Sequence, residues 1–307
     1  MKTSISKTTR LCMSLSARPG NFGTRFQNFL YDALDLDFVY KAFTTKDLAA
    51  AIGGIRALGI RGCAISMPFK EAVIPMLDAL DPSAGVLQSV NTIVNDDGFL
   101  RGYNTDYLAV RHLLDVHRVP RDLRVAVRGS GGMAKAVTCA LRDAGLKDGV
   151  IVARNETTGR ALAGTYGYTW QPDTSGLAAD LLVNVTPIGM SGGDESGDLA
   201  YSLSLIDAAH TVFDVVAIPV ETPLIVAARA AGRPVITGGE VIALQALEQF
   251  VLYTGVRPEP ELVAKAADFA RTPDNGSSRR TPGSTVPAAR QRRVGSGFRR
   301  SDGAGGS

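Results

Sequence analysis

The segment 125–136, VAVRGSGGMAKA, is where residue types and spacing first point to chemistry. An apolar strand pattern runs into Gly129-x-Gly131-x-x-Ala134, and Ala136, Val137 and Ala140 then share one face of a helix. Gly129 permits a tight turn, Gly131 admits backbone N–H groups close to a pyrophosphate, and Ala134 lets helix and sheet approach. Ser130, Gly132 and Met133 complete the loop and first helical turn, whose positive dipole end faces an anion. A glycine-rich match alone is a weak signal, but the strand before and the helix after supply the context that dinucleotide binding requires. The next strand, 151–153, ends in Arg154-Asn155-Glu156-Thr157. An acid at this point bonds the 2′-hydroxyl of NAD, whereas an arginine receives the 2′-phosphate of NADP. The planar fork of Arg154 suits bidentate phosphate contact, with Asn155 beside it, so NADP (NADPH) is the expected cofactor. Two alternatives stand beside this: Glu156 holding the ribose, and Arg154 as a solvated strand-end cation.

Other reactive side chains are less telling by themselves. Lys70 alone reads as a surface lysine at a helix start, and Asp106 as a first-turn acid favoured by the helix dipole. Ser14, Ser16, Ser66, Asn91 and Asn104 stand near strand ends, where hydroxyl and amide side chains also cap helices and close turns. Three cysteines (Cys12, Cys63, Cys139) and three histidines lack ligand spacing, so no metal site is expected. Unpaired cysteines suit a reducing compartment.

The elements that must position these residues follow from periodicity. Strands are expected at 10–16, 37–43 and 62–66, helices at 22–34 and 48–58, and a hairpin from 90–95 and 99–103 through Asp97-Gly98. Such alternation implies an α/β fold with a mostly parallel sheet covered on both faces. Residues 107–116 read as a helix bridging two domains. Strands at 123–127, 150–153, 181–184, 212–216 and 234–237 then build a Rossmann unit, and 239–253 has helical apolar spacing at Val241, Leu244, Leu247 and Val251.

A length of 307 residues suits two domains, and 45% apolar with 21% charged residues is ordinary for this class. From Arg271 onward the chain holds eight arginines against two aspartates. Removing that surplus of +6 from the net +3 leaves the rest at −3, which argues against a nucleic-acid surface. The tail, rich in Ser, Gly, Pro and Arg, buries too little surface to offset its ordering entropy and is expected to be disordered. No stretch approaches the ~18 apolar residues of a membrane span, and no apolar run follows Lys2, Lys7 and Arg10. A cytoplasmic protein without membrane or nucleic-acid partners is expected, as a monomer or homodimer.

Seven segments stand in order along the chain: Ser14-Leu15-Ser16; Ser66-Met67-Pro68-Phe69-Lys70; Val90-Asn91-Thr92; Gly102-Tyr103-Asn104-Thr105-Asp106; Asn184-Val185-Thr186-Pro187-Ile188-Gly189-Met190; Thr222-Pro223-Leu224; and Gly238-Gly239 with Gln245 following. Together they resemble the shikimate dehydrogenase family over roughly residues 10–270. The resemblance implies a substrate and catalytic domain at 1–105, a Rossmann NADP domain at 106–237, helices at 238–271 packing back on the first domain, and an extra tail at 272–307. It implies hydride transfer between NADPH and the C3 ketone of 3-dehydroshikimate, a step towards chorismate and the aromatic amino acids. Lys70 would supply the proton to the developing alkoxide and Asp106 would orient its amine. Ser14, Ser16, Ser66, Asn91, Asn104 and Gln245 would bind the small hydroxy acid, while Thr186, Gly189, Met190 and Gly238 would lie beside the cofactor.

The chain departs from the family pattern in several places. Ala64 replaces an asparagine, Ser66 a threonine and Met13 a histidine, and the loop after Ser16 is longer. Ala217 stands where the family has a tyrosine whose hydroxyl helps hold the substrate carboxylate. Arg128 replaces an apolar residue, either reaching the cofactor or forming a strand-end ion pair. The pattern resembles the divergent shikimate-dehydrogenase-like branch, with weaker activity on shikimate expected, or a preference for quinate or an aminated analogue. A catalytically weak NADP-binding regulator is the alternative of another class, against which the retention of Lys70 and Asp106 speaks.

Overall fold

The computed structural model describes residues 5–272; the basic tail read as disordered lies, beyond Thr272, outside the described residues. The first half runs β1 (Arg10–Leu15), α1 (Phe22–Ala33), β2 (Phe38–Phe43), α2 (Leu48–Ala57), β3 (Gly62–Ile65), α3 (Phe69–Ala72), β4 (Ala79–Leu80), α4 (Pro82–Gly85), β5 (Thr92–Asp96) and β6 (Phe99–Tyr103). Helix α5 (Thr105–Val116) leads into β7 (Val125–Arg128), α6 (Gly132–Asp143), β8 (Gly149–Val152), α7 (Glu156–Tyr166), β9 (Thr169–Gln171) and β10 (Leu181–Asn184). The chain closes with α8 (Leu203–Ala208), β11 (Thr211–Asp214), α9 (Pro223–Ala230), β12 (Val235–Ile236), α10 (Gly238–Thr254) and α11 (Pro260–Arg271).

The strands form two six-stranded sheets. The first, ordered β2-β1-β3-β5-β6-β4, is more mixed than the expected mostly parallel sheet. β1 pairs in parallel with β2 and β3, but β5 runs antiparallel to both β3 and β6. The two-residue turn at Asp97-Gly98, where both residues take positive φ, forces the hairpin of β5 and β6. The antiparallel pairing of β5 with β3 follows from the long connection through α3, β4 and α4. That reversal brings Asn91, just before β5, to the same edge as the carboxyl ends of β1 and β3.

The second sheet is wholly parallel, ordered β9-β8-β7-β10-β11-β12, which is the Rossmann order. Its strands bury both faces by simple alternation. Val125, Val127, Ile151, Val183 and Phe213 pack on one side with α5, α6 and α7. Ala126, Val150, Leu182 and Val212 pack on the other with α8 and α9. The first sheet does likewise, Met13, Cys63 and Ile93 meeting α2, while Cys12, Phe38 and Tyr40 meet α1, α10 and α11.

Helix α10 is anchored by a capping box, in which the Thr237 hydroxyl accepts from Glu240 N and the Glu240 carboxylate accepts from Thr237 N. Its Val241 belongs to the core of the second sheet, and its Leu247, Phe250 and Tyr253 to that of the first. Its Ile242, Gln245, Ala246 and Gln249 line a cleft at the first sheet. No described helix is long and apolar enough to cross a membrane, and no cluster of three or more potential metal ligands occurs among the described residues.

Candidate active site

At the carboxyl ends of β1 and β3 the first sheet opens into a cleft of about 240 Å³. Ser14, Ser16, Ser66, Lys70, Asn91, Asp106 and Gln245 all line it. The Lys70 ammonium donates to Asp106 Oδ2 at 2.6 Å, with side chains 26% and 12% exposed. Lys70 is placed by α3, which starts directly after Pro68, and Asp106 by the first turn of α5. A half-buried, charge-assisted bond of this length holds the amine in one orientation while leaving its other protons to face the cleft.

Asn91 is 2% exposed, and its Oδ1 accepts from Thr105 N at 2.8 Å and from the Thr92 hydroxyl at 2.8 Å. Its Nδ2 has no hydrogen-bond partner among the described residues. A buried amide donor left unmade costs about 1–3 kcal/mol, so a ligand acceptor here would recover that cost. Gln249, one turn beyond Gln245, supports this corner by donating to Thr92 Oγ1 at 3.0 Å and to the Asn91 carbonyl at 3.3 Å.

Asn104 is the one substrate-site candidate that the structure places elsewhere. Its Oδ1 caps α5 through Tyr107 N, and its Nδ2 donates to the Ser89 carbonyl, so the 1%-exposed side chain is spent on local structure. Its contribution is to start the helix that presents Asp106. Conversely, Tyr40, Arg18 and Gln249 line the cleft without having been singled out from the sequence. Burial pushes the Tyr40 hydroxyl's pKa well up, and the hydroxyl pairs with Ser14.

A second cleft, of about 440 Å³, opens between β7 and β10, where the strand order reverses. Gly129, Ser130, Gly131, Arg154, Asn155 and Thr186 line it, joined by Arg128. Open α/β sheets bind ligands at this switch point. Gly129 holds φ at +123°, and a Cβ there would lie 2.9 Å from Val185 Cγ2. Gly131 opens α6 and has nothing within 4 Å of its would-be Cβ, which is the free space a pyrophosphate needs. Arg154 is 88% exposed, its nearest acid being Glu195 at 3.9 Å, whereas Glu156 is turned away into a 2.7 Å pair with Arg160. Asn155 caps α7 through Thr158 N. The Arg128 guanidinium donates to the Ala200 carbonyl and forms no ion pair with another described residue, so the strand-end ion pair is not made.

The loop after β10 is pinned from below. Asn184 Oδ1 accepts from the Thr186 amide and hydroxyl, while its Nδ2 donates to Asp214 Oδ1 and the Ile188 carbonyl. Asp214 also accepts from Thr222 Oγ1 at 2.6 Å, and burial raises the pKa of its carboxyl. The remaining cofactor candidates do not line the cleft. Gly132, Met133 and Ala134 form the first turn of α6, with Ala134 fully buried against the sheet. Gly189 and Met190 lie beyond the pinned turn. Gly238 is buried where a Cβ would come 2.2 Å from the Val216 carbonyl oxygen, so its place demands glycine for backbone contact.

Lys135 of α6 reaches Glu71 of α3 at 2.9 Å, linking the helix beside the second cleft to the helix that carries Lys70.

Residues 22–93 match the family model of the shikimate dehydrogenase substrate binding domain. The chain is 58% identical over 268 residues to the shikimate dehydrogenase-like protein of Haemophilus influenzae, covering 87% of this chain and 99% of that one. It is 39% identical to the shikimate dehydrogenase (NADP(+)) of Moorella thermoacetica, covering 74% and 82%. Among solved structures, a shikimate 5-dehydrogenase-like protein superposes with a TM-score of 0.86 at 57% identity, covering 88% and 100%. The Thermus thermophilus shikimate 5-dehydrogenase in complex with NADP(H) and shikimate follows with 0.77 at 29% identity, covering 86% and 100%.

Proposed function

The chain belongs to the shikimate dehydrogenase family, and from that premise we propose that it interconverts shikimate and 3-dehydroshikimate with NADP(H) as cofactor. The observation that carries this reading is the Lys70–Asp106 pair, 2.6 Å apart in a cleft that also gathers the hydroxyls of Ser14, Ser16 and Ser66 and the amides of Asn91 and Gln245. A small polyhydroxy acid is recognised by several convergent donors and acceptors, each contributing about 0.5–1.5 kcal/mol net. Ser14, Ser16, Ser66, Asn91 and Gln245 are that set, and the unpartnered Asn91 Nδ2 is its buried donor.

Lys70 stands at the alcohol or ketone carbon. In the reducing direction its Nζ gives a proton to the oxygen on which charge develops; in the oxidising direction it takes that proton back. Asp106 keeps the amine aimed and accepts from a neighbouring substrate hydroxyl. When bound in the second cleft, NADP(H) supplies or accepts the hydride. Gly129, Ser130 and Gly131 would cradle its pyrophosphate, and Arg154 would meet the 2′-phosphate. The division into a substrate domain at 1–105, a cofactor domain at 106–237 and returning helices at 238–271 belongs to the same reading. It is supported by the two separate sheets and by α10 packing on residues of the first.

The deciding assay follows NADP+ reduction by purified protein given shikimate, quinate or neither. Slow, shikimate-dependent turnover is expected, weaker than the family's typical enzymes because Ala64 and Ala217 remove two polar side chains. Absence of turnover with either acid would sink the enzymatic reading, and turnover on quinate alone would reassign the substrate.

A further inference from the structure

The substrate cleft contains three charged side chains, Arg18, Lys70 and Asp106. Lys70 and Asp106 neutralise each other at 2.6 Å. Arg18 is left over: it forms no hydrogen bond or ion pair with another described residue. The cleft therefore carries one uncompensated positive charge, two residues along the chain from Ser16 and four from Ser14, which also line it. Tyr40 adds no charge, since burial holds its phenol protonated.

The local backbone explains why Arg18 faces the cleft. Ser16 N donates to the Phe43 carbonyl at 3.3 Å, and Ala17 N donates to the Met67 carbonyl at 3.1 Å. The loop after β1 is thus tied on one side to the end of β2 and on the other to the turn that delivers Lys70. Ser16 and Arg18 flank the pinned Ala17, and both line the cleft. Arg18 is exposed at the mouth, so its charge is available without the desolvation penalty of a buried unpaired cation.

We propose that Arg18 is the carboxylate-recognising residue of this protein, acting with Ser14 and Ser16 to fix the acid end of a cyclic monocarboxylate while Lys70 and Asp106 work at its far side. This rests on the shikimate reading and deepens it. Arg18 sets the charge the substrate must carry. A guanidinium offers two parallel N–H donors to a carboxylate, a geometry hydroxyls alone do not reproduce. The methyl group of Ala217 offers no hydrogen bond to that end of the substrate, so the charge contact is carried by the first loop.

The test compares shikimate with its neutral methyl ester for the parent protein, Arg18→Met and Arg18→Gln, with Lys147→Met as a control for general loss of positive charge. Steady-state KM and kcat with saturating NADP+ are measured together with calorimetric binding of shikimate. Both Arg18 variants are expected to raise KM and the dissociation constant for shikimate by ten-fold or more. Their preference for acid over ester should fall by a similar factor, and Lys147→Met should keep the parent's preference. An unchanged shikimate KM in both variants would overturn the role of Arg18 while leaving the shikimate reading intact. Equal losses on acid and ester would overturn it too, by showing that Arg18 only shapes the loop. If the parent protein neither oxidises nor binds shikimate, the inference and the reading it rests on fall together.

Discussion

The two clefts lie at equivalent edges of two sheets, yet they are built from different material. The cleft at the second sheet is shaped by backbone, through the turn at Gly129–Gly131 and the Thr186 turn that Asn184 holds from beneath, with the Arg154 side chain added to it. The cleft at the first sheet is side chain: hydroxyls from the end of β1, an amine from α3, an amide before β5, a carboxylate from α5 and an amide from α10. A backbone site depends on φ values and close approaches, so its weak points are glycines. A side-chain site depends on bringing distant residues to one point, so its weak points are single functional groups.

Four substitutions sharpen that contrast. Lys70→Ala should cost the most, lowering shikimate-dependent kcat by ~100-fold or more, the range of a lost general acid, with little change in thermal stability. A stability loss instead of a rate loss would make Lys70 structural. Gly129→Ala should do the reverse, since a side chain at φ +123° and 2.9 Å from Val185 forces the turn to move. A destabilisation of about 1–3 kcal/mol in urea unfolding is expected, with weaker NADP+ binding. Arg154→Ala should lower the preference for NADP+ over NAD+ by ~10-fold in kcat/KM, as expected for one lost charge-assisted contact of roughly 1.5 kcal/mol. Equal coenzyme ratios in parent and variant would return Arg154 to the solvent. Smallest of all, Lys135→Ala should change stability by about 0–1 kcal/mol, because its pair with Glu71 is largely exposed.

The same contrast explains what could be read from the sequence. The segment 125–136 was legible because a backbone site is written locally, as strand, glycine spacing and helix. The substrate site was legible only through the order of several short motifs, since no periodicity relates residue 14 to residue 245. Arg18 and Tyr40 escaped for that reason. A loop has no period to report which way Arg18 turns, and the side of a strand that Tyr40 occupies is settled only by the partner strands. Asn104 carried two readings, and the decisive signal was present: an asparagine three residues before a backbone amide it can cap. The mixed first sheet was half visible, in the Asp97-Gly98 turn, but the antiparallel pairing of β5 with β3 depends on tertiary neighbours. Elements as short as β4 and α4 have too few residues to show any period.

One earlier feature bears on the chain's history during synthesis. The first sheet is covered on one face by α10 and α11, and Gln27 of α1 donates to the carbonyl of Ala246, 219 residues later. At translation rates of ~5–20 residues per second, Phe26, Leu30 and Tyr31 wait roughly 10–45 s for Phe250 and Ala266 to be made. The second sheet, whose strands and helices alternate in sequence, can complete most of its core within that interval. The sheet begun first is therefore finished last, and its uncovered apolar face is the surface that chaperones or aggregation would meet in a nascent chain.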